Sequence, residues 1–164
     1  MKYEKSCGAV VFTKENNEYK FLIVQQLQGF HGFPKGHMEA DETEEQTALR
    51  EIFEEVGVKA NLIDGFRVVD EHIIPSKVDT VKQIVYFLAE YKNQNVKFQK
   101  SELSAVKLLA FDEAYNTFEY ESSKRILSAA YDHLSKAVYL AKNLHSIIKV
   151  QVFVLKKSTD FIQN

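Results

Sequence analysis

A chain of 164 residues with 45% hydrophobic and 27% charged side chains, six Gly and two Pro, predicts one main globular domain able to bury a core without cross-links. The formal charge of −2 and the pI of about 6.2 exclude the basic footprint of a general nucleic-acid binder, so a small polyanionic ligand has to be held by local Lys residues and bound cations. A single Cys excludes an internal disulfide framework, the first residues lack the apolar core of a secretion signal, and no apolar run reaches the roughly 18 residues of a membrane span; the expectation is a cytoplasmic protein with no membrane partner.

Ser6–Thr13 reads as a first strand, in which Cys7 is a buried thiol rather than a nucleophile. Lys14–Glu18 reads as a polar hairpin loop and Tyr19–Leu27 as the returning strand. Gln28–Glu42 is irregular, with Gly29, Gly32, Pro34 and Gly36, and a loop of that kind between a strand and a helix is where sites tend to lie. Thr43–Val56 is predicted helical. Thr43 is its N-cap with Gln46 three residues on, Glu44 and Glu45 sit in the positive first turn, and Gly57 closes it. Val58–Asp70 and Thr80–Tyr91 read as strands flanking a turn at Pro75-Ser76-Lys77. Glu102–Leu109 is a short strand, Phe111–Tyr115 and Ser122–His145 are helical, and the β-branched tail Ile147–Leu155 reads as a strand. Strands around one central helix, with a helix late in the chain, predict an α/β sandwich around a mixed sheet.

The central helix is unusual in its charge. At about 100° per residue, Leu49, Ile52, Phe53 and Val56 form an apolar stripe, and Glu51, Glu54 and Glu55 share the opposite face. Like charges at this spacing are mutually destabilising. A plain solvated face mixes Lys with Glu, whereas Arg50 is the only cation between Glu42 and Gly57. Three such carboxylates are either an acidic surface or a site for a hard cation.

The preceding loop narrows the choice. Gly36, five residues, Glu42, seven residues, then Arg50-Glu51-Ile52-Phe53-Glu54-Glu55-Val56-Gly57-Val58 matches every fixed position of the Nudix box. Its chance occurrence per start position is on the order of 10⁻⁹ from ordinary residue frequencies. On this pattern the chain resembles the Nudix hydrolases, over the box and, more loosely, over the strand order of residues 6–135. The resemblance implies a Nudix α/β/α sandwich around a mixed sheet and a pyrophosphohydrolase using Mg²⁺, with Mn²⁺ as a substitute. It assigns metal binding and catalysis to Glu51, Glu54 and Glu55, and bracing of the loop to Glu42 and Arg50. Gly36 supplies backbone geometry and a carbonyl ligand. Residues 1–135 are then the Nudix domain, and residues 136–164 a helical extension that packs on that domain or on a second subunit, the protein being a monomer or a homodimer.

Outside the box, Pro34-Lys35-Gly36-His37 resembles the asymmetrical dinucleoside tetraphosphatases, which split Ap4A into ATP and AMP, and some inositol-polyphosphate members. That resemblance makes Lys35 and His37 phosphate contacts. Lys82-Gln83-Ile84-Val85-Tyr86-Phe87-Leu88-Ala89 resembles a strand of the same subfamily, with Lys82 facing the phosphates and Tyr86 either in the core or on the ligand. Glu102 matches an acidic residue that completes the metal site or acts as base, the plain alternative being a strand-edge Glu. Tyr120, in Phe118-Glu119-Tyr120-Glu121, matches a residue that stacks on a base, or it packs at a helix start. The chain departs from the pattern in having no Trp and in offering Glu71-His72-Ile73-Ile74-Pro75 where a second stacking aromatic is usual. The leading expectation is Mg²⁺-dependent hydrolysis of a nucleoside polyphosphate of the Ap4A type. The alternatives are a (d)NTP or RNA 5′-end pyrophosphohydrolase and a non-catalytic nucleotide-sensing Nudix module.

Overall fold

A computed structural model describes residues 2–74 and 77–162. Its strands are β1 (Lys2–Glu15), β2 (Glu18–Gln26), β3 (His31–Gly32), β4 (Lys35–His37), β5 (Asn61–Ile73), β6 (Thr80–Glu90) and β7 (Leu103–Leu109). The helices are α1 (Glu44–Val56), α2 (Phe111–Thr117) and α3 (Glu121–Ile162). All the strands join one sheet, in the order β3-β2-β1-β6-β5, with β4 on β1 and β7 on β2. The β1–β6 pair is parallel and the others antiparallel, so the sheet is mixed as expected.

One edge of β1 serves two partners. Its outer half, Val11–Glu15, pairs with β2, and its inner half, Ser6–Gly8, pairs with β4. β2 leaves β1 after Leu22 and pairs with β3 at Val24 and Gln25. The two long strands thus diverge, and the loop expected to be irregular fills the opening as two short strands. Gly8 is what lets β4 close in: a Cβ there would run into the Pro34 carbonyl and the Lys35 side chain. The hairpin itself is tighter than expected. Asn16 and Asn17 alone turn it, with φ of 48° and 65°, the left-handed conformation that two-residue hairpins favour.

Alternation along the strands sends successive residues to opposite faces. Cys7, Ala9 and Val11 of β1 join Leu22, Val24, Val85, Phe87 and Ala89 beneath Ala48, Ile52 and Val56 of α1. Each fully buried aliphatic or aromatic side chain contributes roughly 1.5–3 kcal/mol. The other face carries Val10, Phe12, Ile23, Ile84 and Leu88, all buried. There Phe33 packs against Tyr86 and Phe118 with ring centroids 5.6 and 5.0 Å apart. Ala114 of α2 and Ile126 and Leu127 of α3 are buried as well.

α1 begins with a reciprocal capping box between Thr43 and Gln46 and ends at Gly57, φ 71°, both as expected. Its inward face differs from the apolar stripe read from the sequence. Thr47, Ala48, Glu51, Ile52, Glu55 and Val56 point inward, while Phe53 is 53% exposed. The buried arc is rotated so that two carboxylates lie under the helix rather than on its back.

The tail also differs. Ile147–Leu155 is helical, part of the single α3 that runs to Ile162. No Gly or Pro follows Glu121, so nothing breaks a helix already nucleated, and β-branched residues lower its propensity only slightly. The fold comprises two compact units, one up to Ala130 and one from Tyr131. Of the turn expected at Pro75-Ser76-Lys77, Pro75 and Ser76 lie outside the described residues.

Because the collision at Gly8 is with backbone, Gly8→Ala should destabilise the protein by about 1–3 kcal/mol, the usual cost of overpacking. A thermal or urea melt reads this directly, and an unchanged midpoint would mean that β4 does not need the close approach.

Candidate active site

The loop and the helix are bound together by one guanidinium. Arg50 donates from Nε and Nη2 to the two Glu42 oxygens at 2.7 and 3.0 Å. Its Nη2 also donates to the His37 carbonyl at 3.0 Å, and its Nη1 bridges Glu51 at 2.7 Å and Glu54 at 3.0 Å. Bidentate, charge-assisted bonds of this kind are the strong ones. Glu42 in turn accepts from the Thr47 hydroxyl at 2.7 Å and the Glu39 N–H at 3.2 Å. The Arg50 bonds, then Thr47, hold the Glu42 carboxyl down at about 2. The expected bracing pair is therefore present, and it reaches the helix carboxylates as well.

Those carboxylates are not equivalent. Glu54 is exposed, while Glu51 and Glu55 are 9% and 7% exposed. Burial pushes the Glu51 carboxyl up despite Arg50. It pushes Glu55 up to about 7, against the pull of Lys35, whose N–H donates to Glu55 Oε2 at 3.3 Å. Gly36 lies directly against Glu51: a Cβ on Gly36 would occupy the space of the Glu51 carboxylate. Only glycine leaves this carboxylate its place beside the loop backbone.

Glu51, Glu54 and Glu55 line a cleft of about 870 Å³ together with Lys35, Gly36, His37, Arg50, Lys82 and Glu102. Every metal, catalytic and phosphate position read from the sequence thus borders one space. Glu102 is exposed at its rim, near Gln99 Nε2 at 3.4 Å. Burial, then the nearby Lys35, lowers the Lys82 pKa. Among the described residues no three His, Cys, Asp or Glu side chains are gathered at metal-ligand spacing. The donors themselves, hard carboxylate oxygens lining one cleft with Gly36 of the loop, suit a hard divalent cation.

A second hollow of about 580 Å³ meets the first at Gln26, Lys35 and Lys82 and is bounded by Phe30, His31, Asp70, His72, Tyr86 and Tyr120. Tyr120 is 50% exposed at the edge of this hollow. Tyr86 is 6% exposed, edge-on to Phe33, and belongs to the core that floors the hollow. Sequence reading missed Phe30, whose ring centroid is 5.4 Å from that of Tyr120. It also missed His31, which Glu119 grips from Oε1 to Nδ1 at 2.8 Å and from Oε2 to the backbone N–H at 3.0 Å. The signal for Phe30 was an aromatic in a polar, glycine-bearing loop. His31 and Glu119 are 88 residues apart and carry no local signal.

The Glu55 shift has a consequence for stability. Its folded-state pKa, about 7, lies above the ordinary 4.5, so the unfolded chain releases this proton first as the pH rises. The stability this group allows is complete below about pH 4.5 and falls as the pH climbs toward 7. In chelator, Glu55→Gln should therefore melt higher than the parent protein at pH 8 and about equally at pH 4.5. Parallel melting curves at both pH values would mean that Glu55 is solvated.

Comparison with known proteins agrees with this geometry. The NUDIX domain model matches residues 2–131. The asymmetrical bis(5′-nucleosyl)-tetraphosphatase of Sus scrofa is 34% identical over 142 residues, covering 79% of this chain and 95% of the relative. The Mus musculus protein of the same name is 32% identical over 142 residues, with the same coverage of 79% and 95%. Among solved structures, a C. elegans Ap4A hydrolase binary complex has the same fold, with a TM-score of 0.74 at 23% identity over 81% of this chain and 98% of that one. An intact box, a sheet that opens onto its carboxylates and a family match over residues 2–131 lead to one conclusion: this chain belongs to the NUDIX family and is a Nudix pyrophosphohydrolase.

Proposed function

We propose that the chain hydrolyses a dinucleoside tetraphosphate asymmetrically, Ap4A and water giving ATP and AMP, with Mg²⁺ as the cation and Mn²⁺ as its substitute. The observation that carries this reading is the second hollow. A nucleoside triphosphate needs one base site and a short phosphate track. Here the carboxylate cleft continues past Lys35 and Lys82 into a separate space with an exposed Tyr at its edge. That length suits a long phosphate chain with a nucleoside at its far end. The named activity of the Sus scrofa and Mus musculus relatives points the same way.

Glu51, Glu54 and Glu55, with the Gly36 carbonyl and Glu102, would hold the Mg²⁺, which would neutralise phosphate oxygens and lower the pKa of a bound water. The chain's own groups do the rest. Lys35 and Lys82 stand where the two spaces meet and fix the register of the phosphate chain by charge-assisted contacts, and His37 adds a donor on the cleft wall. Arg50 keeps Glu51 and Glu54 oriented and Glu42 keeps Arg50 fixed, so both are positioning residues. A buried carboxylate such as Glu55, with its pKa near neutrality, is suited to take the proton from the attacking water, a contribution of roughly 10²–10⁴-fold. Tyr120 offers a face to the base. Intact Glu51, Glu54 and Glu55 argue against a purely nucleotide-sensing module.

Products in ¹⁸O-water test the reaction. Attack on the phosphorus farthest from the nucleoside held at Tyr120 should place the label in AMP and leave ATP unlabelled, with no turnover in excess chelator. Lys82→Ala should reduce Ap4A turnover more than turnover of a nucleoside diphosphate derivative. Pyrophosphate as the main product, with ATP preferred to Ap4A, would refute the dinucleotide assignment.

Tyr120→Ala should weaken Ap4A binding by about 1–3 kcal/mol, the worth of one stacked base, with little change in kcat. Titration calorimetry in Ca²⁺ with unchanged affinity would remove Tyr120 from the site.

A further inference from the structure

From Tyr131 onward the sequence has a pattern of its own. α3 runs without Gly or Pro through Ile162. The 32 residues from Tyr131 correspond to a rod of about 48 Å at 1.5 Å per residue. At about 100° per residue, Leu140, Leu144, Ile147 and Ile148 fall in one arc, and Lys142 and Lys149 in the opposite one. The apolar four are 66%, 59%, 56% and 49% exposed. Single exposed aliphatics are ordinary, but four adjoining on one helix face mark an interaction surface.

Charge identifies the occupant. From Tyr131 onward the sequence has five Lys, two Asp and no Glu, a net +3, in a chain whose total is −2. The preceding residues therefore carry −5. Helices that pair with their own copies neutralise flanking Lys with Glu, and this segment has none to offer. No helix among the described residues is long and apolar enough to cross a membrane. A partner that is apolar at depth and anionic at its surface satisfies both faces at once.

We propose that residues 131–162 are an interfacial anchor that lies in the plane of an anionic lipid bilayer. The Leu140, Leu144, Ile147 and Ile148 face enters the acyl boundary, and Lys142 and Lys149 on the opposite arc face the phosphate headgroups. The composition alone predicted no membrane partner; the helical tail, which replaces the expected strand, changes that. The anchor holds the hydrolase at a membrane surface and leaves its chemistry untouched.

Flotation of the full-length protein with vesicles tests the proposal. The expected result is capture by vesicles containing phosphatidylglycerol, little capture by pure phosphatidylcholine, and release as salt is raised. Leu144→Asp should lower partitioning by at least about tenfold, and Lys142→Gln and Lys149→Gln by about fivefold each. All three variants should hydrolyse nucleotide at the parent rate, which shows that they are folded. No capture by phosphatidylglycerol vesicles, equal capture by both lipids, or a stable homodimer in sedimentation that Leu144→Asp splits would each overturn it. None of these outcomes bears on the substrate, so failure here and failure of the Ap4A reading are separate results.

Discussion

One guanidinium gripping three carboxylates holds the site together. Arg50 touches Glu42, Glu51, Glu54 and the His37 carbonyl, and without it α1 would carry a run of like charges on two faces. The geometry explains why no Lys can serve: a planar fork is needed to grip Glu42 with two bonds while a third nitrogen reaches along the helix. Glu42 belongs to the loop and Glu51 to the helix, so a single side chain fixes the distance between the two halves of the cleft. The Thr47 hydroxyl and the Glu39 N–H complete the satisfaction of Glu42, and partly buried ionic networks are stable only when complete.

Local chemistry was largely readable. The Thr43–Gln46 cap, the Gly57 terminus and the spacing from Gly36 to Val58 are short-range signals, and the structure has each of them. The inward face of α1 was not readable, because amphipathic periodicity counts apolar residues and Glu55 is buried for another reason. The Lys35 N–H and the loop backbone at Gly36 wait for the two carboxylates under the helix, which turns Phe53 outward. The strands β3 and β4 escaped notice because two or three residues carry no period, and their pairing is dictated by where β1 and β2 part. The tail misled for the opposite reason: its β-branched residues read as a strand only when the unbroken helix before them is ignored.

The opening of the sheet links these facts. A regular hairpin of β1 and β2 would have closed the floor on which the cleft rests. After Leu22 the strands separate, and β4 takes the inner half of the β1 edge through Gly8. Lys35, Gly36 and His37 are therefore strand residues with fixed backbones rather than loop residues free to wander. Rigid support of this kind is what places charged side chains within the tolerance that binding a polyanion demands.

The junction of the two hollows has an evolutionary meaning. Among the described residues they share Gln26, Lys35 and Lys82 alone. Walls built from Phe30, His72 and Tyr120 can therefore be reshaped without touching Arg50 and its carboxylates. Such an arrangement is modular: one hollow can change its shape and polarity while the charged cleft keeps its geometry, so paralogues would be expected to differ first around Tyr120 and last around Arg50.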